Sequence, residues 1–439
     1  MITQELFQMA LNIIDPWFVT NIDFNVENKK LDIYVDFKKG STFSYEYIET
    51  KIETKKVIID GVETNKEDEV EISREAFNDL KAYDTMDKEW RHLNFFEHEC
   101  YIHARVPRVK LPNGKVKLIK TPWEGISNGF TLLFEALLMQ LCLAMPVNKV
   151  ASIVRVSDDK LWTMIDRYVA RTRVFENFED VKAIGLDETS RAKGHEYITL
   201  FVDLETRRTI FITEGKDNTT VKRFVEDLAL HGGDAKAIKD VSVDMSPAFK
   251  KGIDENLPEA KVVYDKFHII KHLNEAVNKV RIAEAVEAKI LKGTKYVFLK
   301  NECNLTLKQK ATLQECTMSN MNLKTVRAYN IRKSFQDIYS ASTNEEFLKY
   351  LNKWYFWATH SRLEPIVEVA NMIKRHWDGI VNWYQSKINN GILEGLNSVI
   401  QAAKSKARGY KTFKNYKNIV YLLTGKLDFT LVNGKFRNI

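Results

Sequence analysis

The sequence predicts an α/β fold. A mixed sheet in the order β-β-β-α-β-α-β-α carries an all-helical insertion before its last helix, and a β-rich region and a helix-turn-helix precede it. Three observations point there. Five short apolar runs, at 181–187, 197–202, 209–213, 240–244 and 261–264, are separated first by turns and then by amphipathic segments. Residues 291–385 hold no convincing strand run and are rich in helix formers. Ahead of both, two stretches alternate apolar and polar residues with the period of a strand.

Those two stretches are Leu31-Asp-Ile33-Tyr-Val35-Asp-Phe37 and, more loosely, Cys100-Tyr-Ile-His-Ala-Arg-Val106. Pro107 and a Leu111-Pro-Asn-Gly114 turn bound the second, and Lys115-Val-Lys-Leu-Ile119 reads as its hairpin partner. Residues 1–122 are therefore assigned to a β-rich N-terminal domain. Residues 123–176 read as helical. Val147 to Val154 is short and amphipathic, Arg155-Val156-Ser157 is a turn with Ser157 as N-cap, and Leu161, Trp162, Ile165, Tyr168 and Val169 recur at helical spacing. Two short helices about a tight turn form a helix-turn-helix, whose second helix carries Lys160 and Arg167 as DNA-binding candidates beside Asp158 and Asp159. Such a pair either reads DNA or joins subunits.

Residues 177–290 form the first part of the main sheet domain. Its first three strands follow one another as an antiparallel meander. The helix from Asn218 to His231 turns Val221, Phe224, Val225 and Leu228 inward. Ser246-Pro247 opens the next helix with an N-cap and a first-turn proline, and a third helix runs from Lys266 to Val280. Residues 291–385 are the insertion, with Trp354, Trp357, Trp377 and Trp383 as its core or, alternatively, as base-stacking surfaces. Residues 386–439 return to one long helix and a basic tail. Leu393, Leu396, Ile400 and Ala403 make the apolar stripe of that helix, and Glu394, Asn397, Gln401, Lys404 and Arg408 fall on another face.

Composition excludes several classes. With 439 residues and 44% hydrophobic content the chain is too apolar for disorder and too long for one simple core. Its four Cys form no CxxC pair, which excludes a disulfide scaffold and an ordinary Cys-rich zinc site. Glu5 and the lack of a basic start argue against a secretory signal. The longest apolar run, 130–145, is too short for a bilayer and contains Glu135 and Gln140, so a soluble cytoplasmic protein is expected. The net charge of +7 is unevenly placed. Residues 51–90 hold 12 acids and 7 bases, whereas residues 386–439 hold 10 bases and 2 acids. Lys404, Lys406, Arg408, Lys411 and Lys414 interleave there with Tyr410, Phe413 and Tyr416, as suits phosphate contact with base stacking.

Asp187 and Asp244 are each expected to end an apolar strand of one sheet, where site residues sit in mixed α/β folds. Two carboxylates there repel unless a cation lies between them. Glu394 is a third acid, on an otherwise amide and basic helix face. Three such carboxylates supply the hard oxygen ligands that a pair of Mg²⁺ ions requires.

The residues around these acids resemble a known family. Gly185-Leu-Asp187-Glu-Thr-Ser, Val243-Asp244-Met-Ser-Pro-Ala-Phe249, Tyr264-Asp265-Lys-Phe-His268-Ile-Ile-Lys271, Asn390-Gly-Ile-Leu-Glu394-Gly-Leu-Asn397 and Lys406-Ala-Arg408-Gly409-Tyr410 are similar to motifs of the ISL-three family of bacterial insertion-sequence transposases. The resemblance covers residues 84–425. It implies an RNase H-like catalytic domain with Asp187, Asp244 and Glu394 as the catalytic, metal-binding triad, Mg²⁺ as cofactor and Mn²⁺ as its substitute. It also implies the helical insertion between Asp244 and Glu394. Asp265, His268 and Asn397 would support the site or contact DNA.

Tyr83-Asp84-Thr, Trp90-Arg91-His92-Leu93 and Val106-Pro107-Arg108 resemble the family's region around a small zinc ribbon. Its ligand pairs would fall at Ser41 and Ser44 and near Leu111 and Gly114, none of which is a normal zinc ligand. A degenerate ribbon that binds no zinc is the expectation. His98 and Cys100 share a strand face, but His103 points the other way, so they make a poor substitute.

By resemblance, the chain would bind double-stranded DNA at an element's terminal inverted repeats and at a target, cleave the 3′ phosphodiester and transfer the 3′-hydroxyl. It would act as a homodimer or higher homo-oligomer, associated with the nucleoid. Two alternatives remain at this point. Loss of the zinc ligands motivates a non-catalytic, domesticated DNA-binding relative, and an RNase H-like nuclease shares the metal chemistry.

Overall fold

Alternation at 31–37 becomes a strand in a six-stranded sheet. The computed structural model describes residues 2–59, 62–127, 129–192, 196–318, 322–388 and 391–438. They fall into two units, Met1–Phe175 with Leu427–Ile439, and Glu176–Lys426.

The first unit begins with helix α1 (Ile2–Ala10). Strands β1 (Trp17–Asn25), β2 (Lys30–Phe37), β3 (Thr42–Ile59), β4 (Val62–Arg91), β5 (Glu99–Lys110) and β6 (Val116–Leu118) follow. They order as β1-β2-β5-β4-β3, with β6 on β5 and with β2 and β5 parallel. Trp17, Ile33, Trp90, Ile102 and Val106 are buried on this sheet. Pro107 does not bound β5, which runs through it to Lys110. It pairs with Thr85 of β4 on one flank, and on the other it falls between the stretches paired with β2 and β6, where its carbonyl accepts from Ile119 N at 3.0 Å.

Three helices complete this unit, α2 (Leu132–Ala144), α3 (Val147–Val154) and α4 (Asp158–Arg173). Arg155 ends α3 with φ 55°. Ser157 stands at the N-cap of α4, but its side chain makes no capping bond, and Asp158 and Asp159 face the positive end of the helix dipole. Glu135, which interrupts the apolar run, is fully buried. Its carboxylate accepts hydrogen bonds from Ile126 N (2.8 Å), Ser127 N (2.7 Å) and Tyr168 Oη (2.8 Å). Burial pushes its pKa up. Asn433 donates from Nδ2 to Tyr168 Oη at 2.7 Å and to Leu132 O at 2.8 Å, so the chain's last segment packs within this unit.

In the second unit, β7 (Ala183–Ala192), β8 (Glu196–Asp203), β9 (Arg208–Glu214), β10 (Asp240–Val243) and β11 (Lys261–Tyr264) order as β11-β10-β7-β8-β9. β10 is parallel to β7 and β11, while β8 is antiparallel to β7 and β9. Helices α5 (Thr219–Leu230), α6 (Pro247–Asn256) and α7 (Lys266–Glu284) alternate with the later strands, so the mixed sheet has the element order read from the sequence. One expectation fails. Asp187 does not end its strand, because β7 continues to Ala192 and Asp187 pairs with Leu200 in mid-ladder. Asp244 does follow directly on β10.

Among the described residues, 291–385 contains helices and no strand: α8 (Lys295–Leu299), α9 (Leu307–Met318), α10 (Lys324–Ile338), α11 (Asn344–Thr359), α12 (Glu364–Arg375) and the start of α13 (Trp377–Ser386). Trp354 is buried and donates from Nε1 to Ile331 O at 2.8 Å. Trp377 and Trp383 pack partly against the same core, but Trp357 is 40% exposed and is no core residue. Helices α14 (Gly391–Ala407) and α15 (Phe413–Thr424) close the unit. Among the described residues no helix is long and apolar enough to cross a membrane.

Candidate active site

Parallel pairing aligns two carboxylates. Ser242 of β10 lies opposite Gly185 of β7. Asp187 stands two residues beyond Gly185 within β7, and Asp244 is the first residue after β10, so both acids lie just past the paired stretch at the same end of the two parallel strands. Asp187 accepts from the Glu188 N–H at 2.8 Å through Oδ1 and from the Asn397 amide through Oδ2. Asp244 Oδ1 accepts from Ser246 N at 3.0 Å, fixing the turn into α6 where Pro247 fills the first turn.

Helix α14 lies along β7 through a ladder of side chains. Asn397 donates to Asp187, Gln401 to Thr189 Oγ1 and Lys404 to Ser190 O. These three are the middle of the polar face read from the sequence and dock on β7, whereas Glu394 and Arg408 at its two ends are exposed. Leu393 is buried beside it against Val202 and Leu204. The approach depends on Gly185, where an added Cβ would lie 2.7 Å from Leu393 Cδ1. Asp265 caps α7, accepting from Phe267 N at 2.9 Å through Oδ1, while its Oδ2 holds His268 Nδ1 at 2.8 Å.

Asp187, Glu188, Asp265, His268, Lys271 and Glu394 line one cavity of about 650 Å³. Burial lifts the Asp187 carboxyl to about 6, the charges of Asp244 and Asp265 add to this, and His268 and the Glu188 N–H oppose it. Glu188 is raised by burial and then by Asp244 and Asp187. His268 is raised chiefly by its hydrogen bond to Asp265, against burial. Glu394 thus shares a cavity with Asp187, and Asp244 couples to Asp187 through charge. Among the described residues, however, no three His, Cys, Asp or Glu side chains converge to hold a metal ion.

Arg191, Lys404, Arg408 and Lys411 line a groove of about 730 Å³ that also contains Tyr410. Lys406 and Lys414 are exposed but do not line it. On the helix-turn-helix, Lys160 sits 6.0 Å from the Phe130 ring, and Arg167 donates to Ile126 O at 3.3 Å, within its own unit. The His98, Cys100 and His103 cluster does not form. His98 packs at a tilt against Phe24 with centroids 4.4 Å apart, Cys100 is buried, and His103 bonds Asp32 at 2.5 Å. Sequence reasoning missed Glu188, Lys271 and Arg191. The Asp-Glu doublet signals the first, whereas Arg191 needed knowledge that β7 runs on past Asp187.

Comparison with known proteins identifies the family. A family model described as transposase, for the DDE domain of family ISL3, matches residues 184–420. One described as the helix-turn-helix domain of transposase family ISL3 matches residues 127–169. The transposase for insertion sequence element IS1001 of Bordetella parapertussis is 28% identical over 343 residues, 75% of this chain and 83% of the relative. The transposase for insertion sequence element IS1557 of Mycobacterium tuberculosis is 26% identical over 358 residues, 74% of this chain and 79% of the relative. The DDE domain alone spans more than half of the sequence, and the chain belongs to the ISL3 family of DDE transposases.

Proposed function

We propose that this transposase uses Asp187, Asp244 and Glu394 as its catalytic triad on an RNase H-like core. The observation that carries the reading is that Asp244 directly follows β10, the strand paired in parallel with the Asp187 strand, while the Glu394 helix is bonded to Asp187 itself through Asn397. The strand order β11-β10-β7-β8-β9, with β8 alone reversed, supports the RNase H-like assignment. In this reading residues 1–122 are a degenerate, zinc-free ribbon domain and 123–176 a DNA-binding region. Residues 177–290 and 386–439 are the core, and 291–385 its helical insertion.

Membership of the DDE family implies a divalent metal. The donor set suits Mg²⁺, with Mn²⁺ as substitute, because all three groups are hard carboxylates. Burial raises Asp187 most, and the like charges of Asp244 and Asp265 add a repulsion that a cation would relieve. Bound there, the metal would activate a water or 3′-hydroxyl and stabilise the leaving oxygen. The chain's own residues do the positioning. Asn397 and the Glu188 N–H hold the Asp187 carboxylate, the Ser246 N–H holds Asp244, and Arg191, Lys404, Arg408 and Lys411 offer charge to phosphates. The DNA bound is the element's terminal inverted repeats and the target, with two ends held by a homodimer or larger oligomer.

A strand-transfer assay with Mg²⁺ on linear element ends tests the triad. Asp187→Ala is expected to lower the rate at least about a thousandfold, in line with removal of a group that acts as part of a catalytic unit. Equal activity in variant and parent removes Asp187 from the mechanism.

A further inference from the structure

We propose that a second cavity, beside the acidic one, receives a single unstacked nucleobase of the bound DNA strand. The inference rests on the transposase reading above. This cavity holds about 490 Å³, within the roughly 300–1,000 Å³ of small-molecule sites. It lies between the N-terminal turn of α7 and the helical insertion, and it shares Asp265, Phe267, Ile270, Asn274 and Leu299 with the acidic cavity. Phe267 stands where the two meet and is 46% exposed, too open for a core role.

The wall chemistry matches a base. Trp383 lines the cavity, held by Tyr339 and by a stacked Phe347 at ring-centroid distances of 4.6 and 6.1 Å, and Lys387 Nζ covers its ring, so a base reaches that face as Lys387 swings out. A flat π-surface at the mouth and another within are what an unstacked base needs to recover its lost stacking. Around them are three amides. Gln336 donates to Asn301 Oδ1 at 3.1 Å, which leaves an acceptor on Gln336 and donors on Asn301. Asn274 has its Oδ1 taken by Arg332 at 3.0 Å, which leaves its NH₂ group for the cavity. That restraint is built in. Arg332 is 1% exposed, and its second bond, to Leu299 O at 3.3 Å, holds it against the same wall. Donors and acceptors on one side and π-faces on the other are the means by which proteins read a base edge. Lys387, 4.9 Å from the Trp383 ring, supplies a cation for the adjoining phosphate.

The test uses the full chain and a linear duplex with a short 3′ overhang bearing one 2-aminopurine, in buffer with EDTA so that no chemistry occurs. The parent is expected to quench the fluorescence by stacking the base on aromatic rings. Phe267→Ala is expected to weaken that capture about fivefold to a hundredfold, the range for losing one base–aromatic stack. Gln336→Leu, which leaves the aromatic rings in place, is expected to reduce discrimination between 2-aminopurine and an abasic overhang. Binding of a blunt duplex should be unchanged in both variants. No quench in the parent, or equal quenching in the parent and Phe267→Ala, overturns the pocket. Asp187→Ala should keep the quench while losing strand transfer, so failure of the pocket and failure of the catalytic reading give different results.

Discussion

Gly185→Ala tests whether the contact between α14 and β7 sets the position of Glu394. The new methyl would lie 2.7 Å from Leu393 Cδ1, 3.0 Å from Leu204 Cδ2 and 3.1 Å from Leu393 Cγ. Carbon atoms pack at about 3.5 Å or more, so the helix must withdraw by about 0.8 Å or Leu393 must leave its rotamer. Overpacking of this kind costs about 1–3 kcal/mol. The functional cost should be larger, because the same helix carries Glu394 and anchors Asp187 through Asn397. A misplacement near 1 Å costs on the order of 100-fold in rate. Strand transfer should therefore fall by about that factor while thermal unfolding of the variant shows only the modest loss. Adding Leu393→Val, which removes the clashing δ-carbon, should restore much of the rate. An active Gly185→Ala protein, or a double variant no better than the single, would refute the idea that this approach positions Glu394.

Two further predictions use charge. Glu135 is raised by burial, so its proton is held more tightly in the folded state than in the unfolded one. Its contribution to stability is fully present below the unfolded value and is lost as pH rises through the raised one. Glu135→Gln should flatten that part of the curve when thermal melts at pH 4.5 and pH 7 are compared with the parent, and an unchanged difference would rule the linkage out. At the groove, Arg408→Gln with Lys411→Gln should make log Kd less steep against log salt, by about 0.9 for each phosphate the protein no longer neutralises, measured by anisotropy on duplex DNA. An unaltered slope would place the DNA backbone elsewhere.

Local pattern carried much of the fold and less of the site. The strands of the second unit were legible because their apolar runs are short and bounded, and the helix at Pro247 because proline marks a first turn. The extension of β7 was not, since Glu188, Thr189, Ser190 and Arg191 carry no apolar signal. β8 holds Glu188, Thr189 and Ser190 by backbone pairing, with Arg191 at a register shift, and α14 adds bonds to Asp187, Thr189 and Ser190. The polar stripe of α14 was visible at its correct spacing, but a stripe of amides and cations looks the same whether it meets water or a strand edge. Glu135 was legible in one respect only. A lone acid in an apolar run reads as a reason against a membrane span, and its use as a buried acceptor depends on Ile126, Ser127 and Tyr168 arriving from separate segments.

The last residues make the same point about long-range partners, and they can be removed. The chain leaves the first unit at Phe175 and returns to it at Leu427. The returning segment sets Phe429 and Phe436 against Tyr168, with ring centroids 6.2 and 5.8 Å away, and adds the two Asn433 hydrogen bonds. Burial of one phenylalanine is worth about 1.5–3 kcal/mol, and each hydrogen bond contributes about 1 kcal/mol. Truncation after Lys426 should therefore weaken the first unit by several kcal/mol through α2 and α4, the helices that Leu132 and Tyr168 occupy. It should leave the β7–β11 sheet intact, because that sheet has its own core around Phe201, Phe224 and Val241. Hydrogen exchange followed by mass spectrometry separates the two outcomes. Faster exchange in 132–173 with unchanged exchange in 183–264 is expected. If the sheet deprotects instead, the segment stabilises the catalytic unit and the helix-turn-helix does not depend on it.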